Sequence, residues 1–191
     1  MGGIIVSSLK NDKIAGNMGK FYNYSFPKLT VLLTLLDDNG KPNIITLAWH
    51  SACSIKPPMY GISIDPRRYS HDPIINTGEF VVNFCDLSIL DQVHYCGRHS
   101  GRKYDKFAET GLTPIPATTV KPPLIAEAYC HLECKLVYHQ LYGDHTWLVG
   151  EVVAVITNDV FEDDLLSEEI LPAYYLGNNT YTSFNKMRKR Y

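Results

Sequence analysis

Two runs rich in Val, Ile, Leu and Thr, Leu29–Leu36 and Asn43–Ser54, flank the tetrapeptide Asp37-Asp38-Asn39-Gly40. Asn-Gly accepts the left-handed backbone of a tight turn whose twist matches two antiparallel strands. The two runs therefore predict a β-hairpin, the strongest constraint in the chain. Further strand-like segments are Met59–Ile64 after Pro57-Pro58, Glu79–Phe84, about Ile125–His139, and Trp147–Ile156, the last two joined through Gly143-Asp144. Helical patterning is short: a turn at Ile74–Thr77, a stripe of Leu87, Leu90, Val93 and Gly97 with Asp86 as N-cap, and Asp105–Thr110 stopped by Gly111. Cys96–Tyr104 reads as a loop and Thr113–Pro123 as a Pro-rich connector. Six strands joined mostly by hairpins, with one or two short inserted helices, predict a mainly β fold, a closed or nearly closed antiparallel barrel of Greek-key-like order. A doubly wound sheet needs alternating helices, and neither G-x-G-x-x-G nor a Walker loop is present. Residues 1–26 read as an N-terminal arm, 27–157 as the barrel, and 158–191 as an extension packing on the barrel or on a second copy.

At 191 residues, 45% of them hydrophobic, the chain can bury a full core without disulfides or metal. Lys and Arg total 18 against 20 Asp and Glu, a net charge of -2, so no nucleic-acid partner is expected. The Cys residues are Cys53, Cys85, Cys96, Cys130 and Cys134, an odd number with no C-x-x-C. They read as free thiols in a reducing compartment, so a cytoplasmic location is expected. Met1–Ser8 lacks the basic and apolar regions of a leader, and Val6 stands where a myristoylation signal needs Ser or Thr. The longest apolar run, Leu29–Leu36, is too short for a bilayer, so no membrane association is expected.

The densest chemistry lies in Cys96–Phe107, with Arg98, Arg102, Lys103 and Lys106, the hydroxyl of Ser100, and glycines that let backbone approach a ligand. Cations and exposed N–H groups suit a phosphate; a solvated basic loop is the plainer reading. On Asn43–Ser54, Trp49 suits either an aromatic ligand wall or the core. Ser51 and Ser54 face one ligand only if the strand bulges or ends there, because residues three apart point to opposite faces. Arg67 or Arg68 with Ser70 offers a second phosphate contact or a plain surface turn. His145 is a ligand contact or a turn residue. Cys130, His131, Glu133 and Cys134 match no metal motif and alternate faces on a strand, so no metal is expected. A Cys96 nucleophile paired with His94 or His99 is the remaining thiol reading.

Taken together, Gly40–Ser51, Pro57–Ile64, Thr77–Asn83 and Cys96–Phe107 resemble the flavin reductase-like domain, in its flavoredoxin branch, collinearly over about Pro27–Ile156. The resemblance implies a split β-barrel that binds FMN non-covalently and forms a homodimer with the flavin near the subunit interface. It implies that Asn43, Trp49 and Ser51 meet ring or ribityl and Ser54 the phosphate side. Thr46, Ala48 and His50 on the same segment, and Asn83, join the implied cofactor contacts. Arg67 and Ser70 on one turn, with Ser100, Arg102, Lys103 and Lys106 on one loop, are implied to hold the phosphate. His145 approaches the ring, and Tyr175 or Tyr181 from the tail completes the pocket. The implied activity is hydride transfer from NAD(P)H onto FMN, then electron delivery to free flavin, a ferric complex or a redox protein. A non-catalytic FMN-binding or sensing protein is the alternative. The cofactor carries the redox chemistry, and the protein positions and tunes it.

Overall fold

The computed structural model of the protein describes residues 14–184. Its strands in chain order are β1 (Lys28–Leu29), β2 (Val31–Leu36), β3 (Pro42–Leu47), β4 (His50–Ser54), β5 (Met59–Ile64), β6 (Glu79–Phe84), β7 (Pro114–Ile115), β8 (Leu124–Ile125), β9 (Cys130–Tyr142), β10 (His145–Thr157), β11 (Phe161–Glu162), β12 (Leu165–Leu166), β13 (Tyr174–Gly177) and β14 (Thr180–Thr182). The α-helices are α1 (His71–Thr77), α2 (Leu90–Arg98) and α3 (Lys106–Thr110). No described helix is long and apolar enough to cross a membrane.

The predicted hairpin is β2–β3, with Leu33 opposite Ile45. Its turn is held by Asp37, whose carboxylate accepts from the N–H groups of Asn39 (2.9 Å) and Lys41 (2.8 Å). Gly40 supplies the positive φ, 78°, that the turn needs. The main sheet has seven strands in the order β3-β2-β6-β9-β10-β5-β4. The seventh strand arises because the predicted run Asn43–Ser54 is broken after Leu47. β3 pairs with β2 at one edge and β4 with β5 at the other, so Ala48-Trp49 carries the chain from edge to edge. The Trp49 carbonyl accepts from the N–H of Ser63 at 2.9 Å, which ties this bend to β5.

Strand β2 buries both faces. Val31, Leu33 and Leu35 join Ile62, Ile64, Ile74, Phe80, Val82 and Leu148 in one core cluster. Leu32 joins Ile44, Ile89, Val93, Cys96 and Ile125 in another, under α2. Two buried faces explain why the strand reads as a continuous apolar run rather than an alternation. Asp86 caps a short 3-10 turn, Leu87–Ile89, that leads into α2, accepting from the Ser88 N–H at 2.8 Å, while α2 itself starts at Leu90 without a side-chain cap. Helix α2 continues through Arg98, past the predicted loop start at Cys96, because Val93 and Cys96 remain on its buried stripe. The tail is not irregular: β13 pairs with β14 and with β1, forming a small second sheet.

Gly61 on β5 leaves room for the Trp147 ring. An added Cβ would sit 2.3 Å from a Trp147 ring carbon and 2.7 Å from Cys53 Sγ. Gly61→Ala is expected to destabilise by about 1–3 kcal/mol through this overpacking. A lower urea midpoint at unchanged slope checks it.

Candidate functional site

A cavity of about 460 Å³ opens where the β1–β2 junction, the β3–β4 bend, the turn after β5, the end of α2 and the β13–β14 hairpin meet. Each wall follows from local structure. The bend presents Thr46, Ala48 and Trp49. Trp49 is half-buried, with His145 tilted against it at 4.8 Å and Tyr22 at 5.8 Å, so it is a wall residue rather than core.

After β5 the chain turns through Asp65 and two arginines. Asp65 is buried and accepts from Arg67 Nε (3.0 Å) and Nη2 (2.6 Å). These bonds from Arg67 hold the Asp65 carboxyl well below the usual range. Arg67 is thereby neutralised, whereas Arg68 has no carboxylate partner among the described residues. Buried Ser70 follows, its Oγ accepting from Asn43 Nδ2 at 3.0 Å.

The end of α2 and the next loop bring His94, Arg98, Ser100 and Gly101 to the cavity. Gly101 packs close to Asn43 and Tyr69: an added Cβ would lie 2.3 Å from Asn43 Oδ1 and 2.9 Å from the Tyr69 ring. Lys106 opens α3 and is only 4% exposed. Its Nζ donates to the carbonyls of Ile44 (2.6 Å) and Cys96 (2.7 Å). No described carboxylate pairs with it, and burial pushes its pKa down to about 8. A buried ammonium on a cavity wall without a counter-charge is a site for an anion. Thr30 also borders the cavity, and its hydroxyl is fully buried without a hydrogen-bond partner.

Cys96 also lines the cavity, but only 1% of it is exposed, and burial raises its thiol to about 11. It is not a poised nucleophile, which corrects the thiol reading. His131 and Glu133 are held by Asn83 and by Thr118 and Thr119 respectively. No group of three metal-ligating side chains occurs among the described residues.

Residues 23–182 match the family model described as the flavin reductase like domain. The chain belongs to the flavin reductase-like family. An uncharacterised protein of Archaeoglobus fulgidus is 36% identical over 140 residues, 73% of this chain and 78% of its own length. The flavoredoxin of Methanosarcina acetivorans superposes with a TM-score of 0.83 at 26% identity, covering 94% of this chain and 95% of its own. An FMN-binding protein of Thermus thermophilus, solved with bound 1-cyclohex-2-enone, gives 0.77 at 27% identity, covering 95% and 99%. The seven-stranded sheet is thus the split barrel of this family, without a continuous hydrogen-bond ladder closing it.

Of the residues that the family resemblance implied, Thr46, Ala48, Trp49, Arg67 and Ser70 line the cavity. So do Ser100, Lys106, His145 and Tyr181, with Tyr175. Asn43 stands behind the wall and positions Ser70. His50 is held away by Tyr60 Oη (2.7 Å) and the Leu29 carbonyl (2.8 Å). Ser51 and Ser54 lie past the bend on β4, where Ser51 is exposed and bonds the Ala52 carbonyl. Asn83 is in the barrel interior, donating to the Leu32 carbonyl and accepting from the Ile125 N–H. Arg102 rests over the Tyr69 ring, and Lys103 is exposed beside it in sequence, both outside the lining. Thr30 and Asn179 line the cavity without having been singled out in the sequence.

Proposed function

We propose that the protein is an FMN-dependent oxidoreductase that takes hydride from NAD(P)H and passes electrons to free flavin, a ferric complex or a redox protein. The observation that carries this reading is the buried, unpaired Lys106 beside Arg68, Ser70 and Ser100, facing an aromatic wall across one cavity. FMN has a dianionic phosphate at one end and a flat ring at the other, and when bound it supplies the hydride-accepting chemistry. Lys106 and Arg68 neutralise the phosphate, and Ser70 and Ser100 add hydroxyls. Trp49 covers the ring and excludes water. Asn43 keeps Ser70 oriented. Hydride transfer needs no general base, so no proton relay is assigned.

The same reading includes a cytoplasmic homodimer. Val137, Tyr138, Leu141 and Tyr142 leave apolar surface exposed along the outer half of β9. Exposed apolar side chains of this kind suit burial against a second copy.

Trp49→Ala is expected to weaken FMN affinity about tenfold while leaving the melting temperature nearly unchanged, because the ring is half-buried. Fluorescence titration with FMN, beside a thermal melt, checks it. The function itself is tested by absorption spectroscopy. Protein reconstituted with FMN shows the two flavin bands, and anaerobic NADH or NADPH bleaches them. Bands that persist with both nucleotides would reduce the protein to a binding module. No bands with excess FMN would overturn the flavin reading.

A further inference from the structure

We infer that His71 is a positioning residue for the cofactor: through Thr146 it fixes the spacing between the phosphate-side turn after β5 and the ring-side end of β10. This role rests on the flavin reading above. His71 opens α1, is only 8% exposed, and lies outside the cavity lining. Both of its ring nitrogens are engaged. Nδ1 lies 2.6 Å from Asp72 Oδ1, and Nε2 lies 2.8 Å from Thr146 Oγ1. Asp72 is exposed and, as a carboxylate, only accepts, so Nδ1 carries the proton. In the neutral ring Nε2 then accepts from the Thr146 hydroxyl. Thr146 is buried and also lies outside the lining. Neither side chain reaches the cavity, so this acid–imidazole–hydroxyl row is not a nucleophilic triad.

What the bond joins gives it its role. Ser70 precedes His71, His145 precedes Thr146, and both Ser70 and His145 line the cavity. Ser70 stands at the phosphate end and makes no side-chain cap bond to α1. Its Oγ accepts from Asn43 Nδ2, which leaves its own O–H to donate to a ligand oxygen. His145 stands at the ring end, tilted against Trp49 at 4.8 Å. Thr146 lies opposite Ile64 in the β5–β10 ladder, so the backbone brings His145 beside the start of the turn at Asp65. The His71–Thr146 bond then locks the far end of that turn, at Ser70, onto the same strand. FMN touches both ends at once. A ligand held at two points gains fully from the second contact only while the spacing of the two is preset. A buried side-chain bond between the two ends presets it. With the bond cut, each end still binds its own part of the flavin, but the two no longer reinforce each other.

The test titrates full-length protein with FMN and with riboflavin, which keeps the ring and ribityl chain and lacks the phosphate. The ratio of the two affinities measures how much the phosphate contact adds to the ring contact. Thr146→Val keeps the side-chain shape and removes the hydroxyl. It is expected to lower the ratio about tenfold while riboflavin affinity changes by less than about twofold. Thr146→Ser keeps the hydroxyl and is expected to restore the wild-type ratio. His71→Phe keeps the bulk of the ring without its nitrogens, and cuts the same bond from the other side should Thr146→Val fail to fold. The double variant is expected to lose no more than either single one, because all three lack one shared bond. A ratio that stays at the wild-type value in Thr146→Val and His71→Phe, with only the melting temperature lowered, overturns the positioning role. So does a ratio as low in Thr146→Ser as in Thr146→Val, or losses that add in the double variant. Each of these leaves the flavin reading standing. Failure of FMN to bind wild-type protein overturns the flavin reading, and the positioning role with it.

Discussion

Lys106→Met is expected to weaken FMN binding by roughly 30- to 150-fold, the loss of one charge-assisted contact worth roughly 2–3 kcal/mol. Methionine fills the buried aliphatic stem and removes only the ammonium, so the variant is expected to fold. Wild-type affinity carries a matching pH signature. In the free site burial holds Lys106 near 8. A bound phosphate favours the charged amine and raises that value. Affinity should therefore be flat below about pH 8 and fall above it, by up to tenfold per pH unit. Stability of the FMN-free protein moves the opposite way. Its folded value of about 8 lies below the ordinary 10.5, so between them the unfolded chain binds more protons and stability rises with pH. Lys106→Met should flatten both profiles. Calorimetric titration from pH 7 to 10, with parallel urea unfolding, measures the pair. A wild-type affinity that stays constant across that range would remove Lys106 from the phosphate site.

Glu133→Ala is expected to destabilise the fold by about 2–4 kcal/mol without a separate effect on FMN affinity. The side chain is fully buried on β9 and clamps the connector before β8. It accepts from the N–H groups of Thr118 (2.8 Å), Thr119 (2.6 Å) and Val120 (3.2 Å), and from both threonine hydroxyls. Burial alone would raise its pKa, but the bonds from Thr119 and Thr118 outweigh burial and hold the group below its ordinary 4.5. A depressed carboxyl contributes its stability above the unfolded value and loses it as pH falls toward the folded one. Wild type should therefore weaken progressively below about pH 4.5, and the alanine variant less so. Urea midpoints at pH 7 and pH 3.5 give the comparison; a variant as acid-sensitive as wild type would remove Glu133 as the cause.

How much of this was legible in the sequence follows the range of the physics. The Asp37–Gly40 hairpin is a local event, and its residues announce it. The break at Ala48-Trp49 is not local. It exists because β3 and β4 join opposite edges of one sheet, and nothing in the run Asn43–Ser54 marks the change of partner. That break removes Ser51 and Ser54 from the cavity while leaving Trp49 in it. Arg67 and Arg68 are identical in type, and tertiary placement separates them. Even so, Asp65 two residues earlier signalled which one would be paired. The tail carried a readable signal as well. Gly177, Asn178 and Asn179 all take positive φ at 94°, 48° and 57°, and such residues between tyrosine-rich flanks mark a hairpin. Thr30, inside an apolar run, carried none.

The small sheet that joins β1 to the β13–β14 hairpin unites segments synthesised far apart in time. A nascent chain that has emerged through β10 holds every strand of the main sheet but neither Tyr175 nor Tyr181. Barrel formation on the ribosome can thus precede completion of the cavity, and the last wall arrives as a late docking step onto Lys28–Leu29. That wall belongs to the finished polypeptide, whereas Arg68, Ser70, Ser100 and Lys106, which the proposed flavin reading assigns to the phosphate, all precede it in the chain.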